Sequence, residues 1–470
     1  SREVILKAFI FCLAAVFIVR LGYLQIIKGS EYKRESTAQA IKEETVDPFR
    51  GNIYDRNGVL LVHNEPAFTV TITFNDYRRN PATHELLASI MGMDTASLSE
   101  YFVRFNSESK FRPTKVFKDL DFAKLALIEE YSEYLPGVDI VTESKRLFNE
   151  RIRLSHLIGY TREINKTELD KIIDKVKKEV QKSNNPVSGK DFEDLVYYRN
   201  GDIIGKTGIE KTYEKSLRGT KGIKYVAVNH TGMKIARFDD GRKDDPVHNG
   251  YDMNLTLDIR LQELAEEKMK DRRGAVIAID PRNGEILAFV SAPDYDLKSF
   301  SGRVSKEVYQ TLTFDESKPL FNRAVMSKYP PGSTWKMLVA IGALQDKILD
   351  PNSTIACGGS FQYGGRSYGC HGAHGSVNVV KAIQASCNVF FYKLGLKLGL
   401  ARMNYYAHLF GFGEKTNIDL PDESKGFFPS PEWVTKKFGH GAINGRLVNY
   451  GIGQGEIGVT PIQMAVYVSA

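Results

Sequence analysis

Tyr329-Pro330-Pro331-Gly332-Ser333-Thr334-Trp335-Lys336, followed by Met337-Leu338-Val339-Ala340-Ile341-Gly342-Ala343-Leu344, is the stretch on which the reading of this chain turns. The prolines and the glycine stop the preceding chain where a helix begins, and the run after Lys336 is apolar on nearly every face, the pattern of a buried central helix. Ser333 then falls at the helix N-terminus, where unpaired main-chain N–H groups and the positive end of the dipole favour a developing anion. Lys336 stands one turn further on the same face, so its ammonium is expected to reach the Ser333 hydroxyl. A lysine in a dry pocket loses its proton near neutral pH and serves as a base, the chemistry of Ser-x-x-Lys sites.

Ser-x-x-Lys alone occurs by chance in most chains, so a second element has to stand with it. Downstream, Ser386-Cys387-Asn388 comes just ahead of the apolar run Val389-Phe390-Phe391-Tyr392. A second hydroxyl relays a proton, and an asparagine amide holds a substrate carbonyl or the lysine. The candidate catalytic set is therefore Ser333 as nucleophile, Lys336 as general base, Ser386 as proton relay and Asn388 as the positioning group. Cys387 between them reads as packing, projecting away from its neighbours if the segment is extended.

Working outward, 470 residues allow about three folded units, and 42% hydrophobic with 26% charged residues is ordinary globular composition. That excludes a disordered, collagen-like or polytopic membrane chain. A net charge of +7, from 64 basic and 57 acidic residues, is too mild an excess for a nucleic-acid binder. From Ala8 to Ile27 the chain is apolar except for Arg20, Gly22, Tyr23 and Gln25, and about twenty helical residues span one bilayer core. An uncleaved single anchor is expected there rather than a cleaved signal peptide, because Leu21 to Ile27 continues bulky. Basic residues flank the segment on both sides, so charge alone does not orient it.

The region after the anchor is mixed α+β, with a turn, a short strand and an Asn57-Gly58 hairpin turn leading into the strand pattern 68–73. Residues 167–181 carry apolar positions at helical spacing among lysines, a solvated surface helix, and 183–189 reads as a loop. A charged, turn-rich break at 240–246 places the main boundary near 240–252. Beyond it come an amphipathic helix around 259–269 and two strands, 274–279 and 286–290, opening an α/β layered domain. The expected organisation is an anchor (1–28), an N-terminal module (29–250) and a catalytic domain (251–470).

Cys12, Cys357, Cys370 and Cys387 are too few for a disulfide scaffold. Cys357, Cys370, His371 and His374 gather in a Gly-rich loop whose Cys-x12-Cys-His-x2-His spacing would supply tetrahedral zinc ligands. A Cys357 to Cys370 disulfide closing that loop, with a stabilisation of about 3 kcal/mol, and two free thiols are the alternatives. No cofactor is favoured.

The chain resembles the class B penicillin-binding proteins, membrane-anchored peptidoglycan D,D-transpeptidases, over nearly all of its length. Arg50-Gly51-Asn52-Ile53-Tyr54-Asp55-Arg56-Asn57-Gly58 is similar to the family's first box, Gly208-Ile209-Glu210 through Leu217-Arg218-Gly219 to its pedestal motif, and Gly453-Gln454-Gly455 with Thr460-Pro461-Ile462-Gln463 to the segment after the second active-site element. Tyr329-Pro330-Pro331-Gly332-Ser333, Phe390-Phe391-Tyr392 and Gly451-Ile452-Gly453-Gln454-Gly455 look like the elongation type, penicillin-binding protein 2. His374-Gly375 recurs in that pattern, which implies a structural role near the site.

The resemblance implies an α+β pedestal after a single transmembrane helix and a transpeptidase domain of helices packed on an antiparallel sheet. It further implies stem-peptide crosslinking during cell elongation, acylation by β-lactams, a place in the inner membrane with a periplasmic catalytic domain, and two partners, a RodA-type SEDS glycosyltransferase and an MreC-type scaffold. Lys206-Thr207-Gly208 spells the family's third motif but precedes the nucleophile, in the pedestal segment, and is rejected as catalytic. The true third strand is expected after Gln454 and does not occur up to Ala470, so the domain is expected to be C-terminally incomplete. Competing readings are a D,D-carboxypeptidase or β-lactamase, which need no pedestal, and a largely regulatory subunit or β-lactam sensor acting on a partner glycosyltransferase.

Overall fold

The computed structural model describes residues 11, 15–17, 20–23, 41–78, 81–105, 110, 113–182, 196–199, 201–228, 234–300, 306–439 and 441–470. The expected anchor 8–27 falls mostly outside the described residues, and so does the loop at 183–189. Among the described residues no helix is long and apolar enough to cross a membrane. The chain divides into two compact units, one of Ser1–Gly51, Phe68–Ser144 and Arg218–Tyr251, the other of Asn52–Ala67, Lys145–Leu217 and Asp252–Ala470.

In the first unit, Gly222–Val228 is the middle strand of an antiparallel sheet between Ile41–Val46 and Lys234–Arg237. Residues 70–72 pair antiparallel with Thr114–Phe117, and Ile72, Phe74, Leu87, Leu98, Phe117 and Leu135 close a separate small core. Two helices there start on aspartate caps. Asp94 accepts from Ser97 N at 2.8 Å ahead of Thr95–Val103, and Asp121 from Lys124 N at 2.9 Å ahead of Phe122–Glu130.

In the second unit the expected lysine-rich helix runs Lys166–Lys182 and buries no residue, as its polar composition requires. Ile53–Tyr54 pairs with Leu60 and Val62 on one side and Met253–Asn254 on the other. The carboxylate of Asp55, fully buried, accepts the main-chain N–H of Asn57 and Val59 at 2.8 Å each and that of Ile259 at 3.2 Å. The first motif box is thereby tied to the start of helix α1 (Ile259–Met269). Glu210 of the pedestal motif is also fully buried and takes the guanidinium of Arg146 at 2.8 Å.

Helix α1 lies on an antiparallel hairpin of strands β1 (Gly274–Ile279) and β2 (Ile286–Ala292). Gln262 locks the two layers together. Its amide donates to Phe289 O at 3.0 Å and accepts from Phe289 N at 2.7 Å, so a buried polar group has both bonds satisfied. The larger core is helical: α2 (Lys336–Gln345) packs on α3 (Asn388–Leu409), which packs on α4 (Ala442–Tyr450). Trp335, Leu338, Ala343, Phe390, Leu394, Met403, Leu447 and Tyr450 fill it. Helix α2 is not buried all round, because Met337 and Ile341 stay 37% and 43% exposed.

Candidate functional site

The nucleophile candidate sits on a turn held from both sides. Gly332–Trp335 form one 3₁₀ turn and α2 begins only at Lys336, so Ser333 lies a step before the regular helix rather than on its first residue. Gly332 N donates to Gly453 O at 2.9 Å, and Tyr329 exchanges two main-chain bonds of 2.9 Å with Val459. Gly453 must be glycine. Its φ is +68°, and a Cβ there would lie 2.4 Å from Gly332 O and 2.6 Å from Trp335 Cβ. Trp335, fully buried against Phe428 and Phe412, anchors the turn, leaving Ser333 exposed and Lys336 only 2% exposed.

Lys336 does not bond Ser333 directly. Its Nζ donates to Ser386 O at 2.8 Å, Ser386 Oγ at 2.9 Å and Asn388 Oδ1 at 2.6 Å, and Ser386 Oγ in turn donates to Ser333 Oγ at 2.9 Å. The expected direct reach is thus replaced by a chain through Ser386. Three acceptors around Nζ match the three hydrogens of a charged lysine. When Lys336 is neutral the same chain reverses, with Ser333 donating to Ser386 and Ser386 to Lys336. Burial pushes the Lys336 pKa below its ordinary value, although the nearby Cys370 and Cys387 act against the shift. Ser386 adopts φ 47°, a left-handed conformation that costs a non-glycine residue about 1–3 kcal/mol.

Asn388 opens α3, and its own amide Nδ2 donates to Gly369 O at 3.4 Å. The Cys387 sulfur lies 3.9 Å from that of Cys370, whereas Ser386 and Asn388 both bond Lys336. Cys387 is not simple packing: it is the N-cap of α3, its sulfur accepting from Phe390 N at 3.5 Å, and it joins a group of four donors.

That group is Cys357, Cys370, Cys387 and His374, whose ligand atoms all lie within 4.8 Å of one another. Strands β3 (Ile355–Cys357), β4 (Ser360–Tyr363), β5 (Arg366–Gly369) and β6 (Gly375–Val377) build it as two hairpin pairs, with Cys357 opposite Gly375. The structure departs from the sequence spacing at one position, since the fourth donor is Cys387 and not His371, which is exposed on the loop; of the three alternatives for Cys357 and Cys370, it shows free thiols. Cys370 Sγ is 3.9 Å from Cys387 Sγ and 3.6 Å from His374 Nδ1, and Cys357 Sγ is 3.5 Å from His374 Nδ1.

A tetrahedral zinc with bonds of about 2.3 Å to sulfur holds its sulfurs roughly 3.8 Å apart, so three thiols and one imidazole at these separations fit the ion. Burial raises the Cys370 thiol, but the main-chain N–H groups of Val389, Asn388 and Gly372 outweigh it and bring it down to about 6, while burial pushes Cys387 up to about 12. The rejected Lys206 is engaged elsewhere, its Nζ at 2.5 Å from Glu168, and Thr207 Oγ1 accepts from Tyr160 N at 3.3 Å.

A serine reached by a buried lysine through a second serine, with an asparagine on the lysine, is the arrangement of the lysine-dependent acyl-serine enzymes. The penicillin-binding protein transpeptidase domain model matches residues 274–470, and the penicillin-binding protein dimerisation domain model matches 45–255. A peptidoglycan D,D-transpeptidase MrdA of Acinetobacter baumannii is 36% identical over 97% of this chain and 65% of its own length, and that of Escherichia coli K12 is 33% identical over 97% and 69%. Among solved structures, penicillin-binding protein 2 of Helicobacter pylori in complex with MreC superposes with a TM-score of 0.73 at 29% identity, over 91% of this chain and 77% of that one. The chain belongs to the class B penicillin-binding proteins, in their penicillin-binding protein 2 branch. It spans about two thirds of the length of these curated relatives.

Proposed function

We propose that this protein crosslinks peptidoglycan stem peptides during cell elongation by acyl-serine D,D-transpeptidation and is acylated by β-lactams at the same serine. The observation that carries this is the hydrogen-bonded chain from Lys336 through Ser386 to Ser333. Ser333 Oγ attacks the penultimate D-Ala carbonyl, its proton passing through Ser386 to neutral Lys336, and the terminal D-Ala leaves with a proton returned along the same path. An amine from a neighbouring stem peptide then attacks the ester and regenerates Ser333. The Ser333 N–H, at the start of the 3₁₀ turn, would donate to the developing oxyanion. The relatives' names support the reaction class, and the Helicobacter complex supports an MreC-type scaffold as partner. A RodA-type SEDS glycosyltransferase, a single-pass anchor at 8–27 and a periplasmic catalytic domain belong to the same reading.

We also propose that Cys357, Cys370, Cys387 and His374 hold zinc. Four protein ligands leave no open position, so the ion would supply cohesion between the hairpins and the start of α3 rather than a reactive water.

The test of the reaction is release of D-Ala from a pentapeptide donor with an added acyl-accepting amine. Crosslinked product that depends on Ser333 supports transpeptidation. Hydrolysed product alone would indicate a carboxypeptidase, and morphological rescue by Ser333→Ala in cells would indicate a purely regulatory subunit.

A further inference from the structure

The segment that leads into Ser333 hangs on one loop at two points. Gly332 N donates to Gly453 O at 2.9 Å, and Tyr329 exchanges two main-chain bonds of 2.9 Å with Val459, so residues 453–459 cradle residues 329–332. One end of the cradle is the terminus of α4. Gly453 N donates to Tyr450 O at 3.1 Å and Gln454 N to Asn449 O at 3.0 Å, the pair of bonds that closes a helix on a left-handed residue. The other end is joined to Phe427, which exchanges main-chain bonds of 2.6 and 2.9 Å with Gly458. Between the two ends the loop crosses the Tyr450 ring at Gly455, where φ is +89° and a Cβ would lie 2.9 Å from the ring. There Glu456 fastens the loop to α4, one carboxylate oxygen accepting the Tyr450 hydroxyl at 2.7 Å and the other the Arg446 guanidinium. Arg446 and Tyr450 are four residues apart on α4, so they share a face and reach the same carboxylate. Both are braced, Tyr450 by full burial and Arg446 by the Phe438 ring, whose centre lies 3.3 Å from the guanidinium carbon.

We infer that Glu456 is a positioning residue for acylation: by clamping the 453–459 loop to α4 through Tyr450 and Arg446, it fixes where Gly453 O and Val459 hold the Ser333 turn. The inference rests on the acyl-serine reading proposed above. Glu456 bonds α4 and not the reacting groups, so it acts only through the loop. Without the clamp the middle of the cradle is slack, and a displacement of about 1 Å in a reacting constellation costs up to roughly a hundredfold in rate. Because the part that shifts is the nucleophile turn, the loss falls on the bond-making step rather than on prior binding. The same chemistry recurs at the other end of α2, where the C-cap residue Asp346 takes the Arg402 guanidinium and, at 2.6 Å, the Tyr406 hydroxyl. That second clamp makes no bond to 453–459 and serves as a matched control for stability alone.

The test is single-turnover acylation of the full-length protein by a fluorescent penicillin, resolved into a non-covalent dissociation constant and an acylation rate constant, with the thermal midpoint measured on each variant. Glu456→Ala should lower the acylation rate constant by about ten- to a hundredfold while changing the dissociation constant by less than about threefold. Glu456→Gln keeps an acceptor for the Tyr450 hydroxyl and should retain part of the rate, which also covers the case in which the alanine variant fails to fold. Tyr450→Phe removes one strand of the clamp and should slow the wild type, but should cost little more in the Glu456→Ala background, where that strand is already gone. Asp346→Ala should lower the thermal midpoint and leave the acylation rate constant within about threefold of wild type.

Folded Glu456→Ala and Glu456→Gln proteins acylating at the wild-type rate would overturn the positioning role. An Asp346→Ala protein that slows acylation as much as Glu456→Ala, for the same loss of thermal midpoint, would overturn it too, by reducing the effect to general stability. Wild-type protein that is never acylated at Ser333 would sink the acyl-serine reading itself.

Discussion

Replacing Ser386 with alanine should separate chemistry from binding more cleanly than any other single change. Ser386 Oγ is the atom that joins Lys336 Nζ to Ser333 Oγ, at 2.9 Å on each side. Its removal deletes a hydrogen bond to a charged amine, about 1.5–3 kcal/mol, and deletes the carrier in a positioned proton transfer, which contributes about 10²–10⁴-fold. At 1.36 kcal/mol per tenfold, 3 kcal/mol alone is roughly 150-fold, so the acylation rate constant should fall by about a hundredfold to a thousandfold. Lys336 keeps Ser386 O and Asn388 Oδ1, so the lysine stays in place and the non-covalent affinity for a β-lactam should change little. Stopped-flow acylation across a range of β-lactam concentrations yields both constants. A Ser386→Ala enzyme acylating within about threefold of wild type would show that Lys336 takes the proton directly, and the relay would be wrong.

Three further substitutions test other parts of the structure. Glu210→Ala leaves the Arg146 guanidinium, 4% exposed, without its 2.8 Å carboxylate, and should destabilise the second unit by about 3–5 kcal/mol, seen as a lowered thermal midpoint of the purified protein. Gly453→Ala places a Cβ 2.4 Å from Gly332 O at φ +68°, and should slow acylation because the Ser333 turn must shift, with β-lactam labelling falling at equal protein concentration. His156 is held neutral by burial, with Arg323 adding to the effect, and its pKa is brought down to about 4. The unfolded chain, with a histidine near 6.5, takes up the proton first, so stability is lost as pH falls from 6.5 towards 4, by about 2 kcal/mol at pH 5. His156→Phe should flatten the thermal midpoint over that window, and an unchanged pH slope would refute the assignment.

Much of this site is legible in the sequence because its logic is local. Pro330-Pro331-Gly332 marks a helix start, and the spacing of Ser333 and Lys336 follows helix geometry. Ser386 and Asn388 are legible as a pair because they stand together downstream of Ser333-x-x-Lys336, not through alternation along a strand: Ser386 sits in a left-handed turn and Asn388 opens α3. Cys387 is the N-cap of α3, and the neighbours it meets are set by the strand pairs that bring Cys357 and Cys370 to it, which no spacing rule reports. His371 was the natural fourth ligand by sequence distance, yet the turn after Cys370 leaves it exposed. The assembly of 52–67 and 145–217 with the catalytic residues in one unit depends on contacts such as Asp55 to Ile259 N, which leave no periodic trace. The route of the proton through Ser386 is a matter of ångströms and was beyond helix periodicity altogether.

The most direct test of the mechanism is intact-mass spectrometry of the full-length protein after incubation with a β-lactam, with Ser333→Ala in parallel. An adduct of the mass of the intact β-lactam, persistent on the wild type, absent from Ser333→Ala and mapping to the peptide that contains Ser333, is the predicted result. A folded, full-length wild-type protein that gains no mass, or a Ser333→Ala protein that gains the same mass, would contradict an acyl-serine mechanism at this residue.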